Sequence, residues 1–189
     1  MDNLILLQIN WFTKSYTSLV KKVIGSIIKK AYLNNNNITL KTNQSNIKIV
    51  LLFLNKHTLC RYKQLIDIAA EDVPTNSNRF TINYIISSIT YNHRVLLSIT
   101  TNELDYLPSA VNIFSSACWL EREVWDLFGV FFKGNPDLRR ILTDYGFSGH
   151  PLRKDFPLSG FYEIYYSLDK KRILTEPIEL AQEYRVFTL

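Results

Sequence analysis

Two residue types that often carry chemistry are scarce in this chain of 189 residues. It has two cysteines, Cys60 and Cys118, which stand 58 positions apart, and three scattered histidines. An iron–sulfur cluster usually takes four cysteines, and a structural zinc ion takes four closely spaced Cys or His ligands. We therefore interpret both cysteines as small core residues in a reducing compartment, and we expect this chain to bind no cofactor and no metal.

Long apolar runs are also missing. The longest one, residues 49–54, has six residues, whereas a helix that spans a bilayer needs roughly 20. The sequence thus predicts no membrane span. The hydrophobic content of 47% and the charged content of 21% are ordinary for a globular protein, and the length suits one core with or without an extended tail.

Acidic residues are absent from position 3 to position 66. Residues 1–100 carry 12 Lys and Arg against 4 Asp and Glu, whereas residues 101–189 carry 10 against 13. A basic half of this kind is typical of proteins that meet a nucleic acid, an anionic membrane surface or an acidic protein partner. The charge pattern alone leaves these three alternatives open.

The basic N-terminus has some features of a mitochondrial targeting peptide. Such peptides favour arginine, but the first arginine here is Arg61. We therefore expect no targeting peptide, and we expect that a protein of this kind working in an organelle is made there.

Apolar spacing in the first two thirds of the chain predicts a compact α+β domain over residues 1–128, with helices packed on a mixed or antiparallel sheet. An i, i+3, i+4 stripe predicts an amphipathic helix over 16–32, which lies either on the sheet or on a membrane surface. The other predicted elements are strands over 38–41 and 47–54, a helix over 61–71, strands over 80–88 and 94–100, and a helix from Pro108 to Phe128.

Residues 129–189 predict an extended C-terminal segment. Five of the six glycines and three of the six prolines lie in residues 129–160, where no helical or strand period remains. This stretch has too many aromatic residues for a disordered tail and too few large apolar residues to repay its own ordering. We therefore expect it to wrap a partner, followed by a hairpin over 161–175 that turns near Asp169 and Lys170 and a short helix over 179–184.

The densest motif is EREVWDLFGVFF at residues 121–132, followed by NPDLRRILTDYGFSGHPLRKDFPLSG at 135–160. Glu121 and Glu123 suit the early part of a helix, Gly129 suits its C-terminal cap, and Arg122 and Asp126 could pair across one turn. Together these stretches resemble the signature of one family of NADH-quinone oxidoreductase proteins, called NADH dehydrogenase subunit 9 when mitochondria encode them. The matching residues are Glu121, Arg122, Glu123, Asp126, Leu127, Phe128, Arg139, Ile141 and Leu142. Asn135 stands where the family pattern has His or Lys, so we predict no specific role for that side chain.

The resemblance runs from about residue 55 to residue 187 and implies a structural role. A member of this family is a non-catalytic subunit in the quinone module of the peripheral arm of respiratory complex I. It binds no flavin, cluster or quinone itself, whereas the parent complex uses NADH, FMN, iron–sulfur clusters and quinone. The implied partners are the large, 49-kDa-type subunit at the quinone cavity, the subunit with the terminal cluster and other peripheral-arm subunits. The implied location is the matrix side of the mitochondrial inner membrane, or the cytoplasmic membrane face in a bacterium.

The same resemblance suggests which residues meet those partners. We expect Arg139, Arg140, Arg153 and Lys154 to donate charge-assisted hydrogen bonds across an interface. Acidic side chains of the segment serve either the interface or its own turns. The full candidate set is Glu121, Arg122, Glu123, Asp126, Asp137, Arg139, Arg140, Asp144, Arg153, Lys154 and Asp155.

The main alternative is a basic nucleic-acid-binding module, with Tyr62, Phe80 and Tyr84 as stacking groups. No RNP or KH motif accompanies them, and the basic residues concentrate on the predicted N-terminal helix. A hydrolase is disfavoured because no G-x-S-x-G or Cys/His motif accompanies His150.

Overall fold

A computed structural model describes residues 18, 20, 22–34, 37–180, 182 and 185. Residues 22–24 are helical, and a 3-10 turn at Gln44–Asn46 precedes the first complete helix. The helices are α1 (Ile47–Lys56) and α2 (Ala117–Phe128). The strands are β1 (Ile28–Asn34), β2 (Asn37–Thr42), β3 (Gln64–Asp72), β4 (Phe80–Ser88), β5 (His93–Thr101), β6 (Tyr106–Pro108), β7 (Phe131–Lys133), β8 (Tyr162–Ser167) and β9 (Arg172–Pro177).

The main sheet has five strands in the order β1-β2-β5-β4-β3. Strand β2 runs parallel to β5, and the other neighbours are antiparallel. Every second residue of β4 is buried, which places Ile82, Tyr84 and Ile86 on one face. The same face receives Leu40 of β2 and Leu97 of β5, so one side of the sheet forms the floor of the core.

The two helices contribute to this core. In α1 the buried residues Ile47, Val50, Leu51 and Leu54 follow the i, i+3, i+4, i+7 spacing of one helix face. Helix α2 packs against the edge strand β3. The short parallel pair of β6 and β7 then carries the chain after α2 back into the core, where Phe132 is buried. The predicted α+β class with a mixed sheet is therefore confirmed.

Three predicted elements are wrong, and each has a physical reason. Residues 47–54 form a helix rather than a strand, because their nearly continuous apolar run hides the helical period. Residues 61–71 belong mainly to a strand rather than a helix. A register shift between Leu65 and Asp67 places buried residues three apart, which imitates helical spacing. The helix predicted to reach residue 32 gives way to β1, which has a similar irregularity near its start.

Other predictions are confirmed. Strands β4 and β5, helix α2 to Phe128 and the late hairpin of β8 and β9 lie where the sequence placed them. Residues 16, 17, 19 and 21 of the predicted N-terminal helix lie outside the described residues. The helix predicted over 179–184 also falls largely outside them, and Glu179 and Leu180 are not helical. The domain boundary at residue 128 stays a prediction.

The hydroxyl of Tyr84 gives a test of this core. The side chain is fully buried, and its hydroxyl has no hydrogen-bond partner among the described residues. We expect Tyr84→Phe to raise the free energy of unfolding by about 1 kcal/mol, because it removes a buried polar group without a partner. Urea denaturation of the full chain measures this, with Tyr166→Phe at an exposed position as the control. A loss of stability at position 84 would contradict the interpretation.

Candidate functional site

Helix α2 forms the base of the candidate site, and the chain reverses direction at its end. Gly129 adopts a left-handed conformation with φ of 77° and donates its N–H to the carbonyl of Trp125 at 2.9 Å, as a helix C-cap. A Cβ atom here would lie 2.5 Å from the Arg153 guanidinium and 2.6 Å from the His150 ring. The absence of a side chain at Gly129 thus lets the later segment pack onto the helix end.

Glu121 ties α2 to the loop that enters it. Its carboxylate accepts hydrogen bonds from the Ser109 hydroxyl at 2.7 Å, the Ala110 N–H at 2.6 Å and the Asn135 amide at 2.9 Å. The side chain is completely buried. Burial raises the pKa of Glu121, and the three hydrogen bonds oppose this shift only in part.

Asn135 has a role that the sequence analysis missed. Its amide N–H₂ donates to Glu121, and its carbonyl oxygen accepts the Asp137 N–H at 3.0 Å. The side chain therefore closes its own turn while holding the segment against α2. The prediction of no specific role was wrong because a neutral amide supplies the donor that a cation would otherwise provide.

Asp126 anchors the next turn of the segment. One carboxylate oxygen accepts three successive main-chain N–H groups, from Ile141, Leu142 and Thr143, at 2.8–3.1 Å. The other oxygen accepts the Thr143 hydroxyl at 2.6 Å and the Arg140 guanidinium at 2.9 Å. Burial works to raise the pKa of Asp126, but the hydrogen bonds from this turn outweigh it and lower the pKa.

The predicted pair of Arg122 and Asp126 is replaced by two separate contacts with the segment. Arg122 stacks on the Trp119 ring, donates to the Arg139 carbonyl at 3.2 Å and lies 3.9 Å from Asp137. Asp126 binds Arg140 instead. Both α2 residues point toward the same stretch of chain, so spacing along the helix predicted the shared face but not the partners.

A third anchor joins the segment to the β3–β4 hairpin. Asp72 forms a two-pronged ion pair with Arg79, at 2.7 and 2.8 Å, and accepts the main-chain N–H of Lys154 at 2.8 Å. Arg79 also pairs with Asp155 at 3.0 Å. The hydrogen bond from Arg79 is the main reason why the pKa of Asp72 is lowered. No motif marked Asp72 and Arg79, because their partners lie about 80 positions away in the sequence.

Arg153 and His150 complete this anchor at the end of α2. Arg153 donates to the Phe128 carbonyl at 2.7 Å and pairs with Glu103. The Nδ1 atom of His150 lies 3.0 Å from the Asp126 carbonyl, and the Leu152 N–H donates to the Leu127 carbonyl at 3.1 Å. The last carbonyls of α2 are therefore satisfied by this segment instead of by solvent.

The remaining candidate residues lie closer to solvent. Arg139 is largely exposed and pairs with Asp137 at 3.0 Å. Asp144 is exposed and accepts the N–H of Tyr145, and the side chain of Lys154 is exposed. Glu123 is half-buried and forms no ion pair with a described residue. A direct partner contact stays a prediction for all eleven candidates. Glu121 and Asp126, whose side chains are buried, are placed to act only through the segment.

Beyond the anchors, the segment exposes an apolar surface. Both faces of the β8–β9 hairpin are accessible. A groove of about 250 Å³ lies between this hairpin and residues 144–148, and its walls include Phe147, Phe156, Phe161 and Ile164. The exposed large apolar residues of this region are Leu142, Tyr145, Leu152, Leu158, Phe161, Tyr162, Ile164, Tyr165, Tyr166, Leu168, Ile173 and Leu180.

Comparisons with known proteins give consistent relatives. A family model described as "Respiratory-chain NADH dehydrogenase, 30 Kd subunit" matches residues 40–162. The chain is 44% identical over 178 residues to the NADH-ubiquinone oxidoreductase subunit 9 of Reclinomonas americana, covering 94% of this chain and 87% of that protein. It is 46% identical over 187 residues to NADH dehydrogenase (ubiquinone) iron-sulfur protein 3 of Beta trigyna, covering 99% and 93%.

Two further matches extend this range. The mitochondrial iron-sulfur protein 3 of Candida albicans is 49% identical over 152 residues, which cover 80% of this chain and 54% of that protein. Among solved structures, a chain of an archaeal membrane-bound sulfane sulfur reductase superposes with a TM-score of 0.65 at 22% identity, covering 89% of this chain and 98% of that chain. At this low identity the match shows a shared fold alone.

The Asp126 anchor predicts an acid-labile contribution to stability. Asp126→Asn should lower the free energy of unfolding by about 3 kcal/mol near pH 7, because a buried charge with matched donors is lost. Since the folded pKa is lowered, the wild-type contribution is present above the ordinary pKa of 3.8 and is lost as the pH falls below it. Urea denaturation over a pH series measures the difference. Asp137→Asn, at an exposed acid, is the control, and an equal loss there would contradict the assignment.

Glu121 predicts the opposite pH dependence. Its folded pKa is raised, so the folded chain holds this proton more tightly, and stability falls as the pH rises above the ordinary value of 4.5. Replacement by the neutral Glu121→Gln removes that slope. The stability of the variant relative to the wild type should therefore improve as the pH rises from about 4.5 toward neutrality. A constant difference across this range would show that the Glu121 pKa is not raised.

Proposed function

Because this chain belongs to the 30-kDa subunit family of respiratory-chain NADH dehydrogenase, we propose that it is a non-catalytic scaffold in the peripheral arm of NADH:ubiquinone oxidoreductase. Membership of this hetero-oligomeric complex follows from the family. The scaffold role, the quinone-module position and the immediate partners are the proposal. No helix among the described residues is long and apolar enough to cross a bilayer.

The observation that carries the proposal is the β8–β9 hairpin. A two-stranded hairpin alone in water is marginally stable at best. Here Tyr162, Ile164 and Tyr166 are each more than half exposed, and Ile173 on the other strand is 69% exposed. An apolar surface of this extent, continuous with the groove beside it, is typical of a protein–protein contact. The partner's surface supplies the burial that the hairpin lacks.

The anchors explain how such a contact positions other subunits. Glu121, Asp126 and Asp72 fix the segment at three places along its length before the hairpin begins. A segment that is ordered before binding loses less conformational entropy when a partner docks. The chain thus holds the 49-kDa-type subunit and the terminal-cluster subunit at a constant separation. Electron transfer from cluster to quinone then proceeds within those partners.

The names of several relatives contain the term iron-sulfur protein, but the cysteines of this chain do not fit that cofactor. A cluster held by the protein usually takes four cysteine ligands. The chain has two: Cys60 is buried after α1, and Cys118 is half-buried in α2 beside Asn135. We propose that the clusters, FMN, NADH and quinone are bound by other subunits.

Names of the relatives also place the protein in mitochondria. Within the organelle we propose the matrix side of the inner membrane, where the peripheral arm is exposed to NADH. A bacterial member would lie at the cytoplasmic face of the cell membrane. The scaffold role is the same in both settings.

The hairpin provides the test of this function. Ile164→Lys places a charge in the groove, and Ile89→Lys is the matched control at a turn residue that is 77% exposed. In purified chain both variants should stay within about 0.5 kcal/mol of wild-type stability, because both positions are exposed. In cells lacking the endogenous subunit, Ile164→Lys should reduce the assembled complex while Ile89→Lys does not.

The readout is a native gel of detergent-solubilised membranes, with an antibody to this chain and an in-gel NADH dehydrogenase stain. Wild-type chain is expected in the very large NADH-oxidising band, and Ile164→Lys is expected to shift it toward a free species of 22.1 kDa. Normal assembly of Ile164→Lys would refute the hairpin contact. A wild-type chain found only as the free species would refute the scaffold role itself.

A further inference from the structure

The basic half of the chain forms a surface that the anchored segment does not use. Between residues 18 and 66 the described chain has no acidic residue. Its cations in this range are all exposed, and none forms an ion pair with a described residue. They are Lys22, Lys29, Lys30, Lys41, Lys48, Lys56, Arg61 and Lys63. This surface therefore carries positive charge that nothing in the described part of the chain neutralises.

Strand β1 lies at the edge of the sheet within this surface. It pairs with β2 on one side, and no described strand pairs with its other side. In an antiparallel ladder alternate residues direct their N–H and C=O groups outward from the pair, so the free side offers main-chain donors and acceptors. Tyr32 and Leu33 on this strand are 42% and 37% exposed. The edge is thus able to accept a further strand.

The cross-strand register adds an unfavourable contact that points to the ligand's charge. Lys30 of β1 stands directly opposite Lys41 of β2, and Lys41 stands opposite Ser98 of β5. Like charges in directly opposite positions destabilise a sheet, and no acidic residue of the described chain separates them. A carboxylate placed on the free side of Lys30 would relieve this repulsion. Two positions along the same face, Tyr32 offers an aromatic contact.

We propose that the outer edge of β1 is a docking site for an extended acidic segment of another protein, which adds as a sixth strand with a carboxylate beside Lys30. Main-chain hydrogen bonds to the edge supply affinity, and the charge selects the partner. A second copy of β1 is excluded from this edge, because its own Lys29 and Lys30 would repel those already present. The site is separate from the C-terminal hairpin and does not depend on the scaffold function.

The experiment uses the full chain and a labelled nonapeptide in which Glu and Val alternate. Fluorescence anisotropy at low ionic strength measures binding, and hydrogen exchange reports which amides become protected. We expect protection at β1. A second peptide with alternate main-chain amides methylated keeps the same charge but cannot complete the ladder, so it should bind much more weakly.

Two charge reversals separate the edge from general attraction. Lys30→Glu should weaken peptide binding about tenfold, since it removes the attraction and adds repulsion. It also removes the contact between like charges, so folding should not suffer. Lys170→Glu, at an exposed turn lysine between β8 and β9, is the matched control and should leave the affinity within about twofold.

Several results would overturn the proposal. Equal binding of the methylated peptide would mean that charge alone is recognised, and an unchanged affinity of Lys30→Glu would place the site elsewhere. Failure of the acidic peptide to bind at all would also reject it. Tighter binding of phosphatidylserine vesicles or single-stranded RNA at the same ionic strength would replace the acidic segment by a membrane or a nucleic acid.

Discussion

The arrangement of the C-terminal segment depends on the carboxylate of Asp126. A buried charge is costly unless donors surround it, and here three main-chain N–H groups, a hydroxyl and the Arg140 guanidinium all converge on its two oxygens. Because those donors come from consecutive residues 140–143, one side chain on a rigid helix fixes a whole turn of irregular chain. His150, 24 positions later, then binds the main-chain carbonyl of the same residue.

Glu121 solves a different problem with the same chemical group. Its partners Ser109, Ala110 and Asn135 are all neutral, and burial is the largest influence on it, so the protonated form is favoured more than in water. Asp126 has a cation and a nest of N–H groups and remains ionised. Two acids, five residues apart on one helix, thus hold two parts of the segment with opposite responses to pH. The Asn at position 135 is consistent with this neutral environment.

The sequence predicted the parts of the fold that local patterns determine. Alternation in β4 and β5, the Gly129 cap and the late hairpin were readable because neighbouring residues carry the signal. The wrong elements arose where a tertiary feature altered the pattern. In β3 an irregular register shifts the buried residues from period two to period three. In α1 the exposed face keeps Ile49 and Leu52, about half exposed, so the polar stripe that identifies a helix is weak.

The candidate site was predicted as a set of residues but not as a set of contacts. Spacing identified Glu121 and Asp126 as important, yet it could not tell an acid that touches a partner from an acid that holds its own chain. The same limit applies to Arg140 and Arg153, whose hydrogen bonds lie within the molecule. Asp72 and Arg79 carried no signal, because an ion pair across a β-hairpin resembles any other pair of surface charges until the tail is placed.

These internal contacts also determine the character of the surface that is left. Since the charged groups of residues 137–155 are largely satisfied within the chain, the hairpin and groove beyond them present mainly Tyr, Phe, Ile and Leu. Binding there relies on apolar burial, which salt affects little. The β1 edge is the reverse, with unneutralised lysines around an open ladder, so attraction there weakens as salt is added. The two halves of the chain thus offer surfaces of different chemistry, and a protein that joins several neighbours gains specificity when each neighbour can match only one of them.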